Sequence, residues 1–191
     1  GTWGGQQGID DSIFPVRLEV DYVRVYERST IPLITLTHTA GWNMVGLPLI
    51  AESTNVQDLF PESINGSLYG FNGTYFSEDD LVSGTGYWLN FYADGSSVIQ
   101  GEYFTELTVE LSEGWNLISG ISDEIPVDGI NDPENIIVGG TIYGFQEVYI
   151  NAETIEPGKA YWIYASTDGY ITISSGNASR TNAFDPKNLD K

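Results

Sequence analysis

The chain has 191 residues, no cysteine, and a formal net charge of −20 set by 27 Asp and Glu against 7 Lys and Arg. No Lys or Arg occurs between Arg28 and Lys159, a stretch that holds 19 acidic residues; this excludes nucleic acid as a partner, because neutralising phosphates takes clustered cations. The lack of cysteine excludes disulfides, thiolate metal sites and cysteine nucleophiles, and with no run of 18 apolar residues neither a signal peptide nor a transmembrane helix is expected in the sequence as it stands.

Residues 1–28 begin with the Gly/Trp-rich turn GTWGG, continue through the acidic loop IDDSIFP and end in VDYVRVY. Leu18, Val20 and Tyr22 alternate with Arg17, Glu19 and Asp21, so residues 14–27 are expected to form a strand with one buried face. Its backbone bonds must be taken up by the same chain, by a neighbouring chain, or by a larger sandwich. The succession resembles the C-terminal end of a family 16 glycoside hydrolase of the laminarinase or β-glucanase type, in which it completes a jelly roll that cleaves β-glucans. That resemblance implies a glycan-degrading parent, and it makes Asp21 match an aspartate that helps hold a structural calcium ion. Retaining hydrolysis needs two carboxyl groups about 5 to 5.5 Å apart. Here Glu19, Asp21 and Arg24 set a guanidinium where the second glutamate of a Glu-x-Asp-x-x-Glu strand would stand, and a guanidinium donates no proton at neutral pH. The chain is therefore expected not to be an enzyme.

An internal repeat organises the sequence after residue 32. Gly41-Trp42-Asn43 recurs as Gly114-Trp115-Asn116, Tyr69-Gly70-Phe71 as Tyr143-Gly144-Phe145, and Gly86-Tyr87-Trp88-Leu89 as Ala160-Tyr161-Trp162-Ile163. The spacing predicts two homologous β-modules, 33–104 and 105–176, followed by a polar tail or linker over 177–191. The GWN, YGF and GYW motifs resemble tandem modules of secreted and cell-surface bacterial proteins, which implies an extracellular location.

In the first module Ile34, Leu36 and His38 occupy the positions that Leu107, Val109 and Leu111 fill in the second. The only histidine thus stands where its counterpart is leucine, and a core-edge imidazole is expected there. Residues 68–76 read as a hairpin with Asn72-Gly73 in a type I′ turn; the second module has Gln146-Glu147 instead. In the strand after Gly86, Tyr87, Leu89 and Phe91 read as core, whereas Trp88, Asn90 and Tyr92 lie on the opposite face. The second module repeats this with Tyr161, Ile163 and Ala165 against Trp162, Tyr164 and Ser166. Indole and phenol rings mixed with polar groups suit a sugar platform, because the C–H face of a pyranose packs on a ring while its hydroxyls find hydrogen bonds. Trp88, Trp162, Tyr164 and Tyr92 are accordingly the candidate glycan-binding residues; the competing reading buries Trp88 and Trp162 between the modules. Trp42 and Trp115, beside turn glycines, read as core. The acidic groups Glu78-Asp79-Asp80 and Asp123, Glu124, Asp128 and Asp132 invite calcium, yet none has D-x-D-x-D-G spacing, and plain solvated loops are the better account of them.

The expected fold is all-β: two tandem β-sandwich or small-barrel modules preceded by an orphan strand. The expected function is that of a non-catalytic accessory region of a secreted β-glucan-active hydrolase, binding polysaccharide or a cell-surface component, with calcium as the sole cofactor the residues suggest. The alternative is an extracellular filament subunit that self-associates by adding its N-terminal strand to a neighbour's sheet.

Overall fold

Short runs of β-branched and aromatic residues, punctuated by Gly and Asx turns, fold as antiparallel strands through residues 31–176, the part of the chain that the computed structural model describes. The strand expected over 14–27, Asp21 and the tail over 177–191 lie outside the described residues. Among the described residues no helix is long and apolar enough to cross a membrane.

In the first half, β1 (Leu33–His38) pairs along its whole length with β7 (Gly95–Glu102), from Leu33↔Gln100 to His38↔Gly95, and β3 (Ile50–Ala51) joins the far end of β7. A second sheet runs in the order β2 (Gly41–Val45), β6 (Tyr87–Phe91), β4 (Tyr69–Phe71), β5 (Tyr75–Ser77). Ile34, Leu36 and Ile99 from the first sheet meet Val45, Leu89 and Phe91 from the second. The one-turn helix α1 (Val56–Leu59), capped by the Asn55 side chain accepting from the Gln57 N–H, adds Val56 and Leu59 to this core.

The second half has the same plan. Strand β8 (Glu106–Leu111) pairs with β15 (Gly169–Ser174), and the facing sheet runs β12 (Val148–Asn151), β11 (Tyr143–Gln146), β14 (Ala160–Ala165), β9 (Gly114–Ser119). A separate two-stranded ladder pairs β10 (Ile125–Pro126) with β13 (Thr154–Ile155). Val109, Leu111, Ile171 and Ile173 pack against Ile118, Tyr161, Ile163 and Ala165. No sheet among the described residues closes on itself, so each half is an open two-sheet sandwich and the small-barrel alternative falls away.

Each repeated motif has a local structural task. Gly41 and Gly114 take φ of +90° and +100°, a region open to glycine. The Asn43 side chain accepts from the Thr39 N–H at 3.1 Å and donates to the Thr39 carbonyl at 2.8 Å; Asn116 does the same with Ser112 at 3.0 and 2.8 Å. The motif therefore closes the β1–β2 and β8–β9 turns. In GYW, the phenol oxygens of Tyr87 and Tyr161 accept the backbone N–H of Val82 and Glu156, pinning the loop before each strand.

Backbone bonds also run reciprocally between the halves. Gly46 donates to the Gly158 carbonyl at 3.0 Å and Ser119 to the Gly84 carbonyl at 2.9 Å, and these two bonds are equivalent under the repeat. Gly86 donates to the Leu117 carbonyl at 2.9 Å, and a side chain there would meet the Ile118 carbonyl oxygen at 2.6 Å. Met44, Leu117, Ala160 and Trp162 form an apolar cluster against which Phe71, Trp88, Tyr143 and Phe145 pack. Both halves thus belong to one unit.

Two expectations are adjusted. Trp42 and Trp115 are not core: they are 44% and 43% exposed. Period-two alternation puts each on the face of Met44 or Leu117, which looks toward the other half, and each stands at the strand's outer end where that cover stops. The 68–76 hairpin turns through three residues, since Phe71 pairs with Tyr75, and only Gly73 has positive φ, so the turn is not type I′. In β11–β12 Glu147 occupies the position of Gly73, with φ of +62°. His38 is buried and stacked on Phe91 at 3.7 Å, with neither ring nitrogen hydrogen-bonded, and its register opposite Gly95 is that of Leu111 opposite Gly169.

Candidate functional site

The face of each second sheet that turns away from its own core is paved with rings. It forms two open troughs. One, of about 510 Å³, is lined by Trp42, Tyr69, Tyr75 and Trp88 with Phe145 from the other half. The second, of about 400 Å³, is lined by Trp115, Tyr143, Tyr149 and Trp162 with Phe71 from the first half. Every ring in one trough has its repeat counterpart in the other, so a pseudo-twofold axis relates them.

The exchange of phenylalanines holds the floors in place. Phe145 meets Trp88 edge-on at 4.8 Å, and Phe71 meets Trp162 edge-on at the same distance. Trp42 stands at 6.5 Å from Trp88 and Trp115 at 6.3 Å from Trp162, each near perpendicular, and these two indoles form the exposed walls. Tyr75 and Tyr149, on the outermost strands β5 and β12, line the other side. A trough of this shape offers both flat and edge-on aromatic surface, with phenol and indole groups at its rim.

The candidates read from sequence are placed unequally. Trp88 and Trp162 floor the two troughs, and Trp162 is only 9% exposed, because each packs against the other half's phenylalanine. Tyr164 stands at 5.2 Å from Trp115, beside the second trough, where the first half has Asn90. Tyr92 is 75% exposed in the β6–β7 turn and lines neither trough. Sequence reasoning missed Trp42, Trp115 and the tyrosines of β4, β5, β11 and β12. The available signal was the period-two step from Trp42 to Met44, masked because Met44 and Val45 are both apolar and both buried, one against each half.

The electrostatics are those of a neutral site on an acidic protein. Burial pushes the Tyr75 phenol up, helped by the neighbouring Tyr149 and opposed by the Trp88 indole N–H; the buried Trp88 Nε1 makes no hydrogen bond of good geometry. Tyr75 therefore keeps its proton at neutral pH and can donate a hydrogen bond. Lys159 is the only Lys or Arg among the described residues, and it pairs with Glu156 at 2.7 Å.

Among the described residues no three His, Asp or Glu side chains gather as metal ligands. The acidic residues proposed for calcium serve loops: Asp132 accepts the Ile136 and Ile137 N–H groups at 3.0 and 2.8 Å, and Asp80 accepts from the Thr54 hydroxyl at 3.0 Å. Asp94 and Asp168, which are repeat equivalents, accept the backbone N–H of Ala40 and Glu113 at the β1–β2 and β8–β9 turns.

Fold and site together define an all-β protein of paired antiparallel sandwiches with an aromatic face. No family model matches the chain, and no solved structure matches it. A stretch of 26 residues in the N-terminal part is 69% identical to a beta-glucanase from Rhodothermus marinus; the match covers 14% of this chain and 9% of that protein. This likeness points to a glucanase-related origin for that stretch.

Proposed function

We propose that the chain is a non-catalytic accessory region of an extracellular bacterial β-glucan-active glycoside hydrolase and that it binds polysaccharide through the two aromatic troughs. The observation that carries this reading is the pair of equivalent troughs with Trp42 and Trp115 as exposed walls. Exposed indoles of this kind bind pyranose faces, each contributing on the order of 1 to 2 kcal/mol. The likeness of the N-terminal stretch to a beta-glucanase supports β-glucan as the substrate class. Trp88, Trp162 and Tyr164 set the floor and flank, and attachment to a cell-surface glycan would use the same rings. Affinity electrophoresis in gels containing a soluble neutral β-glucan tests the reading. The wild-type chain is expected to be retarded, and the Trp42→Ala/Trp115→Ala double variant, with its circular dichroism unchanged, is expected to run as in an empty gel. Unretarded wild-type protein overturns the proposal, and reducing-sugar release by the purified chain overturns its non-catalytic part.

A second reading, self-association by strand addition, is favoured by the edge strand β12, whose four residues Val148–Asn151 are all exposed. An edge of this kind invites a further strand unless something covers it. Light scattering is then expected to report a multimer that reverts to monomer when residues 1–28 are removed. A monomeric intact chain sinks this reading and leaves the first untouched.

A further inference from the structure

Resting on the glycan-binding reading above, we infer that the two troughs act as one strip for a single linear, uncharged polysaccharide chain, and that the strip rejects acidic glycans.

The rings do not form two separate patches. Tyr75 lines the first trough yet packs at 6.5 Å on Trp162, the floor of the second; Tyr149 lines the second trough yet packs at 6.4 Å on Trp88, the floor of the first. The two phenols are near enough for charge on Tyr149 to oppose ionisation of Tyr75. Trp42, Trp88 and Tyr149 therefore make one run, Trp115, Trp162 and Tyr75 its twofold-related counterpart, and the two meet at the pseudo-twofold axis. A ligand long enough to cross this meeting point engages both troughs, and its second engagement is intramolecular.

Charge selects the ligand further. The net charge is −20, and Lys159, the single Lys or Arg among the described residues, is already paired to Glu156, so the described surface offers carboxylate or sulfate groups repulsion and no free counter-charge. The pseudo-twofold also means that a glycan, which has a direction, meets the same rings from either end. Stacking on ring faces tolerates that reversal, whereas a directional set of hydrogen bonds would not. The mostly apolar trough walls agree with recognition by stacking.

Isothermal titration calorimetry with neutral β-glucan oligosaccharides of graded length tests this, using the full chain, Trp42→Ala and Trp115→Ala, each checked by circular dichroism. For the full chain, affinity is expected to rise at least tenfold above a threshold length while stoichiometry falls from two ligands to one. Each single variant is expected to lose that rise and to bind long ligands as it binds short ones. If each single variant instead keeps wild-type affinity for long ligands at half the stoichiometry, the troughs are independent: the inference falls and the glycan-binding reading stands. If no neutral glycan of any length gives heat, both fall. A polyuronate is expected to give no binding at low ionic strength, where repulsion is least screened; binding equal to that of the neutral polymer overturns the charge selection.

Discussion

Tyr161 is 3% exposed, and its phenol oxygen accepts the Glu156 N–H at 2.9 Å, so the hydroxyl holds a loop backbone in place. Burial pushes its pKa up to about 12, with the negative charges of Glu156 and Glu124 adding to the rise and the Glu156 N–H opposing it. Tyr87, its repeat equivalent, is raised by the same leading cause and holds Val82 in the same way. A raised folded-state pKa means that between pH 10 and 12 the folded chain keeps a proton that the unfolded chain releases. The resulting stability is complete below pH 10 and is lost as pH climbs toward 12. Denaturant melts across that window are expected to show a loss on the order of 2 kcal/mol from Tyr161. Tyr161→Phe should flatten the slope, at the cost of about 1 kcal/mol at neutral pH for the lost hydrogen bond; an unchanged slope rules the assignment out.

Among the elements, the two trough hairpins invite direct comparison. In β4–β5 the left-handed turn position is Gly73 at φ of +94°, and in β11–β12 it is Glu147 at +62°. A left-handed backbone costs an L-residue about 1 to 2 kcal/mol, part of which glycine returns through the greater freedom of its unfolded state. Glu147→Gly is expected to raise stability by about 0.5 kcal/mol, and Gly73→Glu to lower it by a similar amount, read as shifts in the urea midpoint at constant slope. Effects of the opposite sign in both variants would mean that contacts of the Glu147 side chain, not backbone conformation, govern that turn. These hairpins carry Tyr75 and Tyr149, so their geometry fixes the meeting point of the two troughs.

For the whole molecule, the decisive feature is the interface between the halves. The exchanged backbone bonds, the Met44–Leu117–Ala160–Trp162 cluster and the crossed Phe71 and Phe145 rings leave neither half with a finished surface of its own. A half cut away at residue 104 would expose Trp88, Met44 and Phe71 and leave N–H groups without partners. Calorimetry of the chain is expected to give one transition, with calorimetric and van't Hoff enthalpies in agreement for residues 31–176. Two resolved transitions, each reproduced by an isolated half, would show that the interface is energetically idle.

What the sequence by itself determined is the material of short range. Period-two alternation marked Tyr87, Leu89, Phe91 and Ile163 as core, and all are buried; strand character followed from β-branched and aromatic runs. These depend on neighbours along one strand, whose alternate side chains must face opposite ways. The tertiary structure alone decided which second face each sheet would bury, and against what. Trp42 and Trp115 sit where the cover from the other half ends, a boundary set by how far the two sheets overlap and by the bonds from Gly46 and Ser119 that fix the overlap. No local pattern encodes that distance. The same holds for Phe71 and Phe145, whose motif repeats in sequence but whose task, flooring the trough of the opposite half, exists only once the halves have met.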